Sequence, residues 1–346
     1  MKLLNDTIAL IGPLDRKAMD ETRRRLDSLL KPRGSLGVLE TIAEQLAGIT
    51  GSVFNDIKKK AVIVLLADNG VYEEGIASYP QEITTVGAAC LTKGMMGINV
   101  LARHAGALVL PVDIGIRTDV EAEGLMKRKV RYGTGNIAKE PAMTREEAVR
   151  AIETGIDLAR EAIDGGVNLL GAGEMGIGNT TSSSAVLYAL TGESIDLLTG
   201  RGAGLDDKGL ERKKDIIEKA VKLHRPDSGD PVDVLSKVGG LDIAGMAGVY
   251  LAAAARRVPV VVDGFIAGAA ALTAIRLAPG AREYMIPSHL SEEAGAKVFA
   301  RLTGLAPILN MNMRLGEGTG CALAFGIIEA AVKIIKEMGT FADIGM

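Results

Sequence analysis

Apolar positions along this chain alternate between two rhythms: helical spacing with charged residues opposite, and short unbroken runs that stop at an acid or a glycine. Helical spacing comes first. Met19, Leu26, Leu29 and Leu30 line one face of a segment from Pro13 to Lys31, with Asp, Glu and Arg across from them. Lys31-Pro32-Arg33-Gly34 ends it, and Ser35 is placed to cap a second helix carrying Leu36, Leu39, Ile42, Ala43 and Leu46. The first unbroken run, Ala61–Ala67, ends in Asp68-Asn69-Gly70. That is the pattern of a buried parallel strand with polar residues at its carboxyl end.

The rhythm then repeats. Helical stretches through Val86–Leu91 and Ile98–His104 precede a strand at Ala107–Ile114 that brings Asp113 to its end. Thr144-Arg145-Glu146-Glu147 is a capping box opening a helix with Ile152, Ile156, Ala159 and Ile163 on one face. A short strand, Val167–Leu170, runs into a glycine-rich stretch from Gly171 to Ser182, and a second glycine loop, Gly200–Gly204, precedes the charged helix Asp206–His224. Leu241–Arg256 reads as a small-residue helix buried nearly all round, and Val258–Val262 as a strand delivering Asp263-Gly264. Tyr284–Pro287 is a further strand, Ser288–Ser291 leads to a helix from about Glu292, and an apolar helix covers roughly Ala322–Ile335. Strand and helix alternate from about 61 to 300, which implies an α/β fold: a mainly parallel sheet with helices on both faces.

Composition narrows the function. The chain has 346 residues, a net charge of −3 and 3% aromatic residues without Trp, so neither a basic footprint nor a base-stacking platform for nucleic acid is present. Cys90 and Cys321 form no disulfide framework, and with His104, His224 and His289 they show no metal-ligand spacing; a reduced, cytoplasmic setting is the default. The apolar stretches at 243–255 and 258–274 are too short or are broken by Asp263, so no membrane span is expected.

The candidate chemistry centres on Leu315-Gly316-Glu317-Gly318-Thr319-Gly320-Cys321. A lone carboxylate, Glu317, sits between glycines just before a helix. With Leu315, Met313 and Met311 around it, the site can desolvate the acid, raise its pKa and make it a general base; the plainer reading is a turn with a solvated glutamate. Gly171-x-Gly173-x-x-Gly176 after a strand matches a dinucleotide fingerprint, but the polar run Asn179–Ser184 suits a helix amino terminus that holds a phosphate. Both an NAD-dependent oxidoreductase and a mononucleotide site therefore stay open, as does a simple turn. Lys213 reads as part of a solvated helix face and Ser291 as a cap or anion contact. Asp263 is either a ribose acceptor or a satisfied turn aspartate, and His289 a hydrogen-bonded structural residue. Tyr79, Pro80 and Leu315 are placed to wall a slot for a flat ligand.

Taken together, Lys31–Gly37, Tyr79-Pro80-Gln81-Glu82, Val112–Gly115, Glu140–Met143, Gly173–Thr181, Val262–Phe265, Leu315–Gly320 and Thr340–Ala342 resemble, in order, the motifs of the nicotinate-nucleotide–dimethylbenzimidazole phosphoribosyltransferases. The resemblance implies a Rossmann-like large domain at 61–324 and a small helical domain from both chain ends, 1–60 with 325–346. It implies a cytoplasmic homodimer acting on small molecules, without a cofactor: phosphoribose passes from nicotinate mononucleotide to 5,6-dimethylbenzimidazole. It implies Glu317 as general base and Glu174 beside the reacting sugar, with Gly176, Gly178, Asn179, Thr180, Gly202, Lys213, Asp263, Gly264, Ser291, Tyr79, Pro80, Gln81 and Leu315 around the substrates. One departure is Asn69, where many relatives have His. If its loop borders the base pocket, the acceptor becomes another lower-ligand base such as adenine or a phenol. A non-catalytic nucleotide-binding protein on the same scaffold is the remaining rival.

Overall fold

In the computed structural model, which describes residues 1–346, the strand β1 (Lys60–Ala67) is buried along its whole length. The two sides of β1 serve two cores. Ala61, Ile63, Leu65 and Ala67 join the larger hydrophobic cluster, and Val62, Val64 and Leu66 join the smaller one. The strand alternation of side chains therefore buries apolar residues on both faces, and an unbroken apolar run is what such a strand requires.

Five more strands complete the sheet: β2 (Ala107–Gly115), β3 (Met126–Lys127), β4 (Leu169–Met175), β5 (Val260–Val262) and β6 (Met285–Pro287). Their order is β3-β2-β1-β4-β5-β6 and every pairing is parallel. The strand order reverses direction between β1 and β4, which opens a crevice at their carboxyl ends where ligands of such folds bind. The β1–β4 register sets Leu65 opposite Glu174, at that edge.

Helices Arg145–Asp164, Asn179–Thr191, Leu241–Ala255 and Phe265–Leu277 cover the larger core, and Val38–Thr50, Gly97–Ala105 and Thr319–Glu337 the smaller. Arg145–Asp164 and Leu241–Ala255 cross backbone to backbone. A β-carbon on Gly155 would collide with the Gly245 carbonyl, and one on Gly248 with the Ile152 carbonyl. Small residues thus permit the close approach and explain why Leu241–Ala254 is buried all round. The two chain ends meet: Leu29 and Thr340 form an antiparallel bridge, and Leu30 N–H donates to the Gly339 carbonyl at 2.9 Å.

Several boundaries differ from expectation. The helix expected to be capped by Ser35 starts at Val38 with Gly37 at its cap at φ 54°, so Ser35 caps nothing, and a helix at Lys2–Ala9 precedes those expected. The helix expected from Glu292 spans Gly295–Thr303, and the last helix begins three residues before Ala322, at Thr319. The stretch Ile83–Ala105 reaches a mean hydropathy of 1.2. It is two helices of 10 and 9 residues, Ile83–Thr92 and Gly97–Ala105, each too short to cross a bilayer.

Candidate active site

At the carboxyl edge of β4, β5 and β6 lies a cavity of about 240 Å³. Glu174 and Met175 enter it from the end of β4, Asp263 and Gly264 from the end of β5, and His289 and Ser291 from the segment after β6. The loop Arg314–Glu317 closes the other side.

That loop has an uncommon backbone. Gly316, Glu317 and Gly318 take φ of 86°, 62° and 81°, so a glutamate occupies the left-handed region between two glycines that tolerate it. Such a residue persists only when its surroundings over-determine it. Here Asp263 does so. Its Oδ2 accepts from Gly318 N–H at 3.0 Å and its Oδ1 from Gly320 N–H at 2.7 Å, capping the helix Thr319–Glu337. The glycines also let the loop sit against the sheet: β-carbons at 173 and 316 would strike Gly318 N and Glu174 Oε1 respectively.

Glu317 is buried, and its Oε2 accepts from Ile98 N–H, 3.1 Å away, at the first turn of Gly97–Ala105. Burial raises its pKa above the usual carboxylate range, and the backbone amides of Ile98 and Gly97 pull the other way. The expected greasy wall is different in detail. Leu315 lines the cavity but is 60% exposed, and Met311 is exposed as well; the sheet edge and the Gly97–Ala105 helix bury the acid instead.

Glu174 is the most perturbed acid. Burial, then the charges of Asp242 and Asp263, push it up to about 8, against a hydrogen bond from Asn179. Asn179 Nδ2 donates to Glu174 Oε2 and, at 3.0 Å, to Asp242 Oδ2. Asp263 is pushed up to about 7 by burial, opposed by the amides of Gly320, Gly318 and Gly264. With both oxygens engaged by backbone, Asp263 is a satisfied turn aspartate facing the cavity. Two basic residues line the same cavity, Arg314 and His289, and His289 lies 3.9 Å from Asp263 Oδ1 and is driven toward neutrality by burial. His289 Nδ1 pairs with Ser288 Oγ at 3.0 Å, the structural role expected of it.

Another part of the lining suits an anion. Gly178, at φ 93°, starts the helix Asn179–Thr191, and Gly176, Gly178, Asn179, Thr180, Gly202, Gly264 and Ser291 all line the cavity. Lys213 overturns the solvated-face reading. It is fully buried, and its Nζ donates to Thr180 Oγ1 at 2.8 Å and to the Gly200 carbonyl at 3.2 Å. Burial lowers it to about 8, while Glu293 opposes the shift. The signal was present in the sequence: Lys213 lies in helical register with the buried Ile216, Ile217 and Ala220. Ser291 caps no helix; its Oγ accepts from Glu293 N–H at 3.3 Å.

Some expected residues are elsewhere. Tyr79 reaches the cavity rim, but Pro80 is exposed and does not line it. Gln81 donates instead to the Asn69 carbonyl at 3.4 Å. Asn69 is fully buried behind Gly176 and Gly178, its Oδ1 accepting from Ser182 Oγ at 2.7 Å, so it does not border the cavity. The dinucleotide pattern also loses its physical basis. Gly171 and Gly173 lie inside β4, facing Cys321 and Gly318, and neither is free to cradle a pyrophosphate. Asp242 and Glu293 went unnoticed in the sequence; each follows glycines or acids that look like ordinary turn residues.

Comparison with known proteins points to one family. A phosphoribosyltransferase family model matches residues 11–346. The chain is 54% identical over 341 residues to the nicotinate-nucleotide–dimethylbenzimidazole phosphoribosyltransferase of Acetivibrio thermocellus, covering 99% of this chain and 97% of the relative. It is 51% identical over 347 residues to the protein of the same name from Alkaliphilus metalliredigens, covering 100% and 99%. The crystal structure of CobT from Thermus thermophilus superposes with a TM-score of 0.91 at 40% identity, covering 95% of this chain and 99% of that one.

Proposed function

The chain is an enzyme of the nicotinate-nucleotide–dimethylbenzimidazole phosphoribosyltransferase family, and from that premise we propose that it transfers phosphoribose from nicotinate mononucleotide to 5,6-dimethylbenzimidazole. The products are α-ribazole 5′-phosphate and nicotinate. The observation that carries the reading is one cavity lined both by buried carboxylates and by a helix amino terminus whose Thr180 is bonded to the buried Lys213.

The donor has matching ends. Its phosphate suits the amino terminus at Gly178–Thr180, with Gly202, Gly264 and Ser291 beside it. Its C1′ bears a pyridinium nitrogen, and positive charge spreads onto the ribose as that bond breaks. Ionised Glu174 stabilises this charge. The bond's electron pair returns to the ring nitrogen, so nicotinate leaves neutral at that atom and needs no proton from an acid. A glycosidase, by contrast, protonates its leaving oxygen. Glu317, anchored on Ile98, takes the N–H proton of the benzimidazole. The opposite ring nitrogen then attacks C1′ from the face away from nicotinate, inverting β to α. A cytoplasmic homodimer belongs to the same proposal.

The test is direct. Incubation with nicotinate mononucleotide and a panel of bases, followed by mass analysis, is expected to yield α-ribazole 5′-phosphate and stoichiometric nicotinate with dimethylbenzimidazole. Preferential product from adenine or a phenol would move the assignment to another lower-ligand base, and binding without nicotinate release would make the protein a non-catalytic binder.

A further inference from the structure

Asp242 is fully buried on the first turn of Leu241–Ala255, outside the cavity, and its Oδ1 accepts from its neighbour Ile243 N–H at 3.0 Å. Its Oδ2 accepts from Asn179 Nδ2, the nitrogen that also donates to Glu174 Oε2. An amide carries two N–H hydrogens on one nitrogen. Here each goes to a different carboxylate, which fixes the amide orientation, because the reversed amide would turn its oxygen toward two acids. We propose that Asp242 is a positioning residue for the transfer reaction: through the Asn179 carboxamide it holds the Glu174 carboxyl against Gly316, beside the reacting sugar, within a buried cluster of acids that a cationic donor enters.

This rests on the reading of Glu174 as the carboxylate next to the sugar. The groups facing Glu174 are Asp242 across Asn179, Asp263 at the end of β5, Glu317 in the glycine loop and the buried Tyr250 hydroxyl. Asp242 in turn faces Asp68 at the end of β1. His289 and Arg314 line the same cavity, but burial first and then the surrounding acids make one more negative charge on Glu174 unfavourable in the empty site. A pyridinium donor supplies positive charge, Glu174 releases its proton to solvent, and the carboxylate forms where positive charge will develop. Burial is the first cause that disfavours the Glu174 charge and Asp242 the second, so Asp242 shifts the pH at which this acid ionises.

The experiment combines carboxyl-carbon NMR titration of glutamate-labelled enzyme with pH profiles of kcat/KM and kcat. The Glu174 signal is identified by its loss in Glu174→Gln. Asp242→Asn keeps an acceptor for Ile243 and removes the charge. It is expected to lower the Glu174 midpoint by about one pH unit or more, the size of a near-neighbour charge effect, and to carry the acid limb of kcat/KM with it. A midpoint that stays in place, with activity reduced evenly at all pH values, overturns the proposal and leaves Asp242 a structural residue. If Asp242→Asn does not accumulate as folded protein, Asn179→Ser cuts the bridge from the other side. Loss of its hydrogen bond is expected to raise the Glu174 midpoint, and an unmoved midpoint overturns the proposal equally. Absence of nicotinate release by the unaltered enzyme defeats the functional reading instead, while the titration still decides the role of Asp242.

Discussion

The Glu317 carboxylate rests on the main-chain amide of Ile98, 3.1 Å away, although the two residues are 219 positions apart in the chain. The acid therefore does not swing freely in its glycine loop. One oxygen is anchored at the amino end of Gly97–Ala105, and the side chain is aimed before any substrate arrives. Glu317→Gln keeps an oxygen for Ile98 and should fold normally, while losing the proton acceptor. Turnover is expected to fall by about two to four orders of magnitude, the usual contribution of a positioned base. Nicotinate release measured beside thermal unfolding checks this; near-normal turnover in a folded variant would remove Glu317 from the mechanism.

Gly173→Ala tests the seat of that loop. A methyl group there collides with Glu317 and Gly318 backbone atoms, and neither strand nor loop has side-chain slack to give way. Overpacking of this kind costs about 1–3 kcal/mol. The variant is expected to be less stable by that amount in urea and to lose turnover more than donor affinity, because Glu317 is displaced while the wall at Gly178 and Thr180 is untouched. A KM effect with unchanged kcat would contradict the loop geometry.

Lys213→Met replaces a buried ammonium by an apolar chain of similar length. Burial lowers this lysine to about 8, but its loss leaves Thr180 Oγ1, the Gly200 carbonyl and buried Glu293 without their partner, so a fold-stability cost of about 1–3 kcal/mol is expected beside the binding effect. The donor, whose phosphate the proposed function places on the Thr180 side, should bind more weakly. We expect KM for nicotinate mononucleotide to rise by about ten- to a hundred-fold, consistent with removal of a charge-assisted interaction. The acceptor-base KM should not follow, and steady-state kinetics with each substrate varied separately will show whether it does.

Stability should depend on pH in an unusual direction. Glu174, Asp263 and Asp242 are pushed up to about 8, 7 and 6 from ordinary values of 4.5, 3.8 and 3.8. An acid that is harder to ionise folded than unfolded contributes fully below its unfolded pKa, and that contribution drains as pH rises through the folded value. From these three groups, urea midpoints should decline between about pH 5 and pH 8. Below that window acids whose pKa is lowered, such as Glu40 and Asp230, act in the opposite sense. Glu174→Gln should flatten the upper part of the decline. A midpoint that rises steadily to pH 8 would show that these carboxyls are not buried as described.

Much of this was legible along the chain. The apolar run of β1 is unbroken because both faces are buried, and Thr144 and Glu147 do form the reciprocal cap that their spacing implies. Glu317 stands out in the sequence because glycines flank it on both sides, and its loop uses them to reach left-handed backbone angles. Lys213 was misread because charged neighbours masked an apolar stripe in the same helix.

What periodicity, glycine placement and isolated acids determined were most of the elements, the mainly parallel sheet and the candidate acids and glycine loops. Each is a local property, written within a turn or two of chain. Only the tertiary structure decided how the charges are compensated. Asp263 commits its oxygens to amides 55 and 57 residues away, Asn179 joins Glu174 to an aspartate 63 residues on, and Lys213 points inward to Thr180. Burial and charge balance depend on what packs against a group from other elements, and no window of sequence contains those partners.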